Sequence, residues 1–190
     1  SHLMSVIKVL CLNLIRICND LRLMGSGPNT GLNEIKLPEV QAGSSIMPGK
    51  INPSILEMLT MVCFYVIGME NTVAMAVQGG QFELNVFMPL IAYGTLNSIE
   101  YLTSAIKITR EKCIKGIKPN KTILEKYAMK TLGLATVLSP EIGYENTAQI
   151  VKIAKKTGKS ILDILKEKGF MKECDLIDLI KKSIKNSNIK

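Results

Sequence analysis

At 190 residues and 47% hydrophobic content, the chain can build one sizeable core, or one core with a small appendage, and falls outside the disordered class. Its 24 basic and 16 acidic residues leave a net charge of +8. That surplus lies on lysine-rich helix faces with few aromatic residues between them, which reads as solvated surface rather than a nucleic-acid footprint.

The first four residues, Ser1-His2-Leu3-Met4, have the look of an expression scar, and nothing at the start reads as a secretory signal. Val6 through Leu23 then carry apolar side chains at helical spacing, beginning abruptly. Gly25-Ser26-Gly27-Pro28-Asn29-Thr30-Gly31 breaks that pattern, and a long loop runs on to Lys50. A loop of this length inside a helical domain is functional or disordered, and its composition argues for function. Asn52-Pro53 reads as a helix start, with Asn52 as cap and Pro53 at the first helical position.

From Ile55 to Val77 the chain is apolar on almost every face, as in a buried central helix, and Gly79-Gly80 ends it. Within it the longest near-apolar run, Met58 to Met69, is too short to span a bilayer and is bounded by Glu57 and Glu70, so no membrane partner is expected. A second long helix is predicted from about Asn85 to Cys113, with Leu90, Ile91, Leu96, Ile99, Leu102 and Ile106 on one side. Gly116 closes it, and Pro119-Asn120 separates it from a third, Lys121 to about Leu138.

Ser139-Pro140 ends that third helix and sets the expected boundary between a helical-bundle region, 5–138, and a small C-terminal helical domain, 139–190. In the latter, segments 144–157, 159–168 and 172–184 are short, amphipathic and lysine-rich, with breaks at Gly158 and Gly169. Thr157-Gly158-Lys159-Ser160 echoes the end of a phosphate loop, but the full spacing and a preceding strand are missing. A helix end followed by a cap is the reading adopted. With β signals weak throughout, the chain is all-α: a long-helix bundle plus a small C-terminal helical domain.

The five cysteines, Cys11, Cys18, Cys63, Cys113 and Cys174, are widely spaced, and four fall inside apolar helical patterns. No pair has metal-ligand spacing, and the single histidine is His2. No metal or other cofactor is expected, and a reducing cytoplasm fits best.

Chemistry concentrates in Gly43-Ser44-Ser45-Ile46-Met47-Pro48-Gly49-Lys50-Ile51-Asn52-Pro53, a small-residue loop with two hydroxyls, a lysine and an amide, leading into a helix. Removing a proton next to a carboxylate needs a base and fixed positive partners for the dianion that develops. Lys50 supplies a full charge and Asn52 two N–H donors. Peptide N–H groups around Gly49 and the helix start at Pro53 add dipoles of the right sign. A serine is a poor base in water, and this chain has no histidine placed to activate it, so Lys50 and backbone N–H groups would have to do so in a dry site. From the residues alone, Ser44 and Ser45 are both candidates.

This loop, from Gly43 to Pro53, resembles the signature loop of the aspartase/fumarase lyases. Asp20-Leu21-Arg22-Leu23-Met24 and Leu32-Asn33-Glu34-Ile35 upstream, and Phe82-Glu83-Leu84-Asn85-Val86 downstream, extend the likeness, which covers essentially the whole chain after the scar. The resemblance implies that Ser44 is the catalytic base, and that Ser45 and the Lys50-Ile51-Asn52 unit contact the substrate carboxylates. It further implies that Glu57 pairs with a histidine from another part of the polypeptide. Independently of it, Glu57 is a first-turn acid that the helix dipole favours.

Ile142-Gly143-Tyr144-Glu145 looks like the start of the family's C-terminal helical domain. One departure is Asn29, where relatives place an arginine. Full chains of the family are more than twice this length. They form homotetramers whose active sites combine segments of three subunits around a small dicarboxylate. The resemblance thus makes this chain the C-terminal part of such an enzyme.

Which leaving group it handles is legible only by likeness. Leu32 to Pro38, Cys63 to Gly68, Gly80-Gln81 and Lys112 to Ile117 look more like aspartase, which eliminates ammonia from L-aspartate to give fumarate. Leu59 to Cys63 and Phe82 to Phe87 look more like class II fumarase, the alternative. A third reading, a basic helical binding module, rests on the lysine-rich C-terminal part.

Overall fold

Three long helices carry the first part of the molecule in the computed structural model, which describes residues 1–41, 43, 51–170, 175, 176, 178–180 and 182. They are α1 (His2–Met24), α2 (Ser54–Gln78) and α3 (Met88–Lys112). α2 lies between the other two. Its pairing with α1 is antiparallel: Lys8 meets Glu70, Cys11 meets Cys63, Cys18 meets Thr60 and Arg22 meets Glu57. The contact is apolar, built on Cys11, Cys18, Leu56, Leu59, Cys63 and Val66, with Leu102, Ala105 and Cys113 joining from the α3 side.

Helical structure reaches into the first four residues. α1 begins at His2, and Met4 is fully buried. Of the residues that sequence periodicity placed on one side of α3, Leu102 is buried and Ile91 and Ile106 are half-buried. Leu90, Leu96 and Ile99 are exposed, while Gly94, Ser98, Leu102, Ala105 and Thr109 are buried. Small residues win that face because the helices approach closely: a Cβ on Gly94 would come within 2.8 Å of Met69 Sδ and 3.1 Å of Val73 Cγ2.

The expected central helix is central, yet only partly covered, with Met61, Phe64, Tyr65 and Met75 all exposed. By length and composition α1 and α2 are both apolar enough to cross a membrane, more than the Met58–Met69 run alone implied. In α2, however, Leu56, Leu59, Cys63, Val66 and Val73 are buried against neighbouring helices, as in the core helix of a folded domain.

The connection from α1 to α2 is anchored before it reaches the signature loop. β1 (Ile35–Lys36) pairs antiparallel with β2 (Lys118–Pro119), the small amount of strand in an otherwise helical unit. A 3-10 turn at Ile114–Gly116 brings the chain out of α3 to that pairing. Asn120 reinforces it, donating its side-chain amide to Asn33 O at 3.0 Å and its backbone N–H to Glu34 O at 2.8 Å.

The chain divides into two units between Asn120 and Lys121, ahead of the boundary expected after Leu138. The predicted third helix is two helices, α4 (Lys121–Lys130) and α5 (Leu134–Ile142), separated where Thr131 Oγ1 accepts from Gly133 N at 3.1 Å. Ser139-Pro140 lies inside α5 instead of ending a helix. The division falls early because Leu134 and Leu138 are buried with Ile150, Ala154, Ile161, Ile164, Leu165 and Leu176, so α5 belongs to the C-terminal core.

That second unit continues with α6 (Tyr144–Thr157) and α7 (Ile161–Lys168). Gly158 takes the left-handed φ of +71° that closes α6, and Ser160 caps α7 by accepting from Asp163 N at 3.1 Å. Thr157-Gly158-Lys159-Ser160 is therefore a helix end and a cap. The fold is all-α, as expected: a long-helix bundle with a small C-terminal helical domain.

Candidate active site

A cleft of about 800 Å³ opens where α1 ends and α2 begins, and it receives the end of the signature loop. Arg22 lines it from the last turn of α1, Lys36 from β1, Asn52 from the loop end and Glu57 from the first turn of α2. The Ser26–Pro28 turn forms another wall. Asn33 braces that turn from a positive φ of 51°, its backbone N–H donating to Ser26 O at 2.7 Å and its side chain to Pro28 O at 3.2 Å. Gly31 packs so closely under it that a Cβ would lie 2.4 Å from the Ser26 carbonyl carbon, which excludes any larger residue.

Of the sequence-predicted site residues, Ser44, Ser45 and Lys50 lie outside the described residues. Ile51 is exposed, and Asn52 and Glu57 are half-buried at the cleft. Asn52 does not cap α2 as expected. The cap position is Pro53, without a side-chain hydrogen bond, and Pro53 O accepts from the N–H groups of Leu56 and Glu57. The Asn52 amide is used elsewhere: Nδ2 donates to Gly43 O at 2.8 Å, joining the two ends of the loop. Beside it, Gln41 Nε2 donates to Ser54 Oγ at 2.8 Å, and Ser54 Oγ donates to Asn52 O at 3.3 Å.

Glu57 sits where the dipole of α2 favours an acid. Its ion-pair partner, Arg22, sits at the C-terminal end of α1, where a cation is favoured, with Nη2 3.5 Å from Oε1. Arg22 and Gln41 had no assigned role in the sequence reading. The available signal for Arg22 was its place in the last turn of the helix preceding the loop.

Four cysteines of the first unit are buried free thiols. Burial raises Cys11, Cys18 and Cys113 above the ordinary thiol value, and burial with Cys11 alongside pushes Cys63 up to about 12. Among the described residues no group of three or more His, Cys, Asp or Glu side chains is placed to hold a metal ion. In the C-terminal unit a second groove, about 540 Å³, runs between α5 and α6 with Tyr144, Lys152 and Lys155 on its walls and no acidic group.

The family profile described as "Lyase" matches residues 1–68, which include the whole loop and Glu57, and the profile "Fumarase C C-terminus" matches residues 134–182. The aspartate ammonia-lyase of Helicobacter pylori is 48% identical over 177 residues, covering 93% of this chain. Along nearly its whole length, the chain is similar to lyases of the aspartase/fumarase superfamily.

Solved structures of the superfamily agree. The fumarate lyase:delta crystallin from Brucella melitensis bound to cobalt superposes with a TM-score of 0.86 at 41% identity, over 94% of this chain and 38% of that one. A recombinant class II fumarase from Schistosoma mansoni gives 0.80 at 38% identity, over 93% and 37%. The chain spans 38% of the length of the Helicobacter relative, so it matches one part of a lyase.

Proposed function

We propose that the full-length protein is an aspartate ammonia-lyase, of which this chain is the C-terminal part, and that Ser44 is its proton-abstracting base. The observation that supports this most strongly is the 48% identity with an aspartate ammonia-lyase along 93% of the chain. In this reading the Ser44 alkoxide takes a proton from the carbon next to the distal carboxylate of L-aspartate. The electron pair left behind spreads into that carboxylate, which becomes a dianion. It then returns to form the carbon–carbon double bond as the C–N bond breaks, releasing fumarate and ammonia.

Lys50 and the N–H groups of Ser45 and Asn52 stabilise the dianion, and stabilisation of that developing charge lowers the barrier most. Ile51 holds the spacing between Lys50 and Asn52 against the substrate. Glu57 supports a histidine contributed from elsewhere in the assembled protein. The enzyme is a cytoplasmic homotetramer acting on a small dicarboxylate, without cofactor. Free buried thiols at Cys11, Cys18, Cys63 and Cys113 suit a reducing compartment.

Similarity to a class II fumarase structure supports a second reading, in which water replaces ammonia as the leaving group. Assay of the full-length protein on L-aspartate and L-malate separates the two. Fumarate formed from aspartate with release of ammonia supports the first. Turnover of malate alone supports the second, and turnover of neither overturns both.

A further inference from the structure

Glu57 and Arg22 meet across the junction of α1 and α2 at 3.5 Å, and both line the cleft that Asn52 lines. An ion pair this long between half-exposed side chains does little for stability. Its geometry serves orientation instead. Arg22 Nη1 donates to Asn19 Oδ1 at 3.5 Å, and Nε is buried with no hydrogen-bond partner among the described residues, so the guanidinium is seated in the wall. From there it engages one carboxylate oxygen of Glu57, Oε1.

We infer that Arg22 is a positioning residue for Glu57: it holds Oε1 and leaves Oε2 to accept from the group that Glu57 supports in the cleft. This rests on the lyase reading above, in which that group is a histidine. The energetic logic is that a supporting carboxylate misplaced by a fraction of an ångström lowers turnover while substrate affinity, set by other groups, stays nearly constant.

The test uses the full-length enzyme, with R22Q, R22K, E57Q and R22Q/E57Q compared for kcat, KM and melting temperature. R22Q should lower kcat about tenfold with KM changed less than about twofold, and R22K should fall between R22Q and wild type. Because Arg22 acts through Glu57, R22Q/E57Q should be no slower than E57Q. Independent, multiplicative effects of the two substitutions would overturn the inference, as would an R22Q variant with wild-type kcat beside a slow E57Q. An unfolded R22Q together with an R22K of wild-type kcat would mark Arg22 as structural and overturn it too. A wild-type enzyme inactive on both aspartate and malate would remove the lyase reading itself, an outcome distinct from all of these.

Discussion

Lys8 Nζ lies 2.9 Å from Glu70 Oε2 across the α1–α2 contact, and Ser5 Oγ donates to the other oxygen at 3.1 Å. Among the described residues Glu70 is the charged side chain in the buried set, placed along the same contact as Cys63 and Val66. Its carboxyl is held below the ordinary carboxylate range of 4.5, chiefly by the hydrogen bond from Lys8 and further by Ser5, against the opposing effect of burial. A depressed native value means that the stabilisation is complete above the unfolded value and is lost as pH falls through the native one. E70Q should therefore melt below wild type at neutral pH, and the gap should close as pH falls through the lowered native value. A gap independent of pH would show that the ion pair contributes nothing through its charge.

In the full-length enzyme, Ser44→Ala should cut kcat by a factor of about 100 to 10,000, as expected for loss of a general base, with the fold intact by circular dichroism. Lys50→Ala should raise KM and lower kcat together, since a charge facing the carboxylate acts in ground and transition states alike. Severe loss in Ser45→Ala with a near-normal Ser44→Ala would reverse the two roles.

The isolated chain should show no measurable lyase activity. Its single histidine, His2, lies at the far end of α1 from Glu57, and groups that act as a unit lose nearly everything when one is missing. The check is fumarate production from aspartate by protein purified from a host lacking its own lyases.

Self-association is also expected. Met61, Phe64, Tyr65 and Met75 on α2 and Tyr93, Leu96 and Tyr101 on α3 are exposed, more apolar surface than a monomer ordinarily leaves in water. Sedimentation should give a dimer or larger species, and charged substitutions at Phe64 and Leu96 should shift it towards monomer.

Gly94→Val should destabilise the first unit by about 1–3 kcal/mol, the usual cost of forcing extra volume into a packed contact. The added carbon meets Met69 and Val73, so thermal unfolding of G94V, compared with G94A, reads the closeness of α2 and α3 directly.

What the sequence revealed depended on how local the signal was. α2 could be delimited within a residue or two because Asn52-Pro53 and Gly79-Gly80 bracket an uninterrupted apolar run. The cap at Ser160 and the stop at Gly158 were legible for the same reason. Periodicity was only partly right on α3, where Leu102 is buried but Gly94, Ser98 and Ala105 share the contact and Leu90, Leu96 and Ile99 face outward. A hydrophobicity pattern weighs side-chain size, whereas close helix approach selects against it. The break at Thr131–Gly133 was missed because helical composition resumes immediately beyond it. At the cleft, the motif supplied Asn52 and Glu57, but the role of Arg22 depends on an antiparallel pairing over more than thirty residues of chain, which no local pattern encodes.

The bond from Asn52 to Gly43 has a consequence for how such a protein can change. The chain is fastened to itself on either side of that interval, while α1 and α2 are held by their own apolar contact. The stability of the first unit therefore rests on the helix contact, and a laboratory library confined to residues 44–51 should return mostly folded variants whatever it does to turnover.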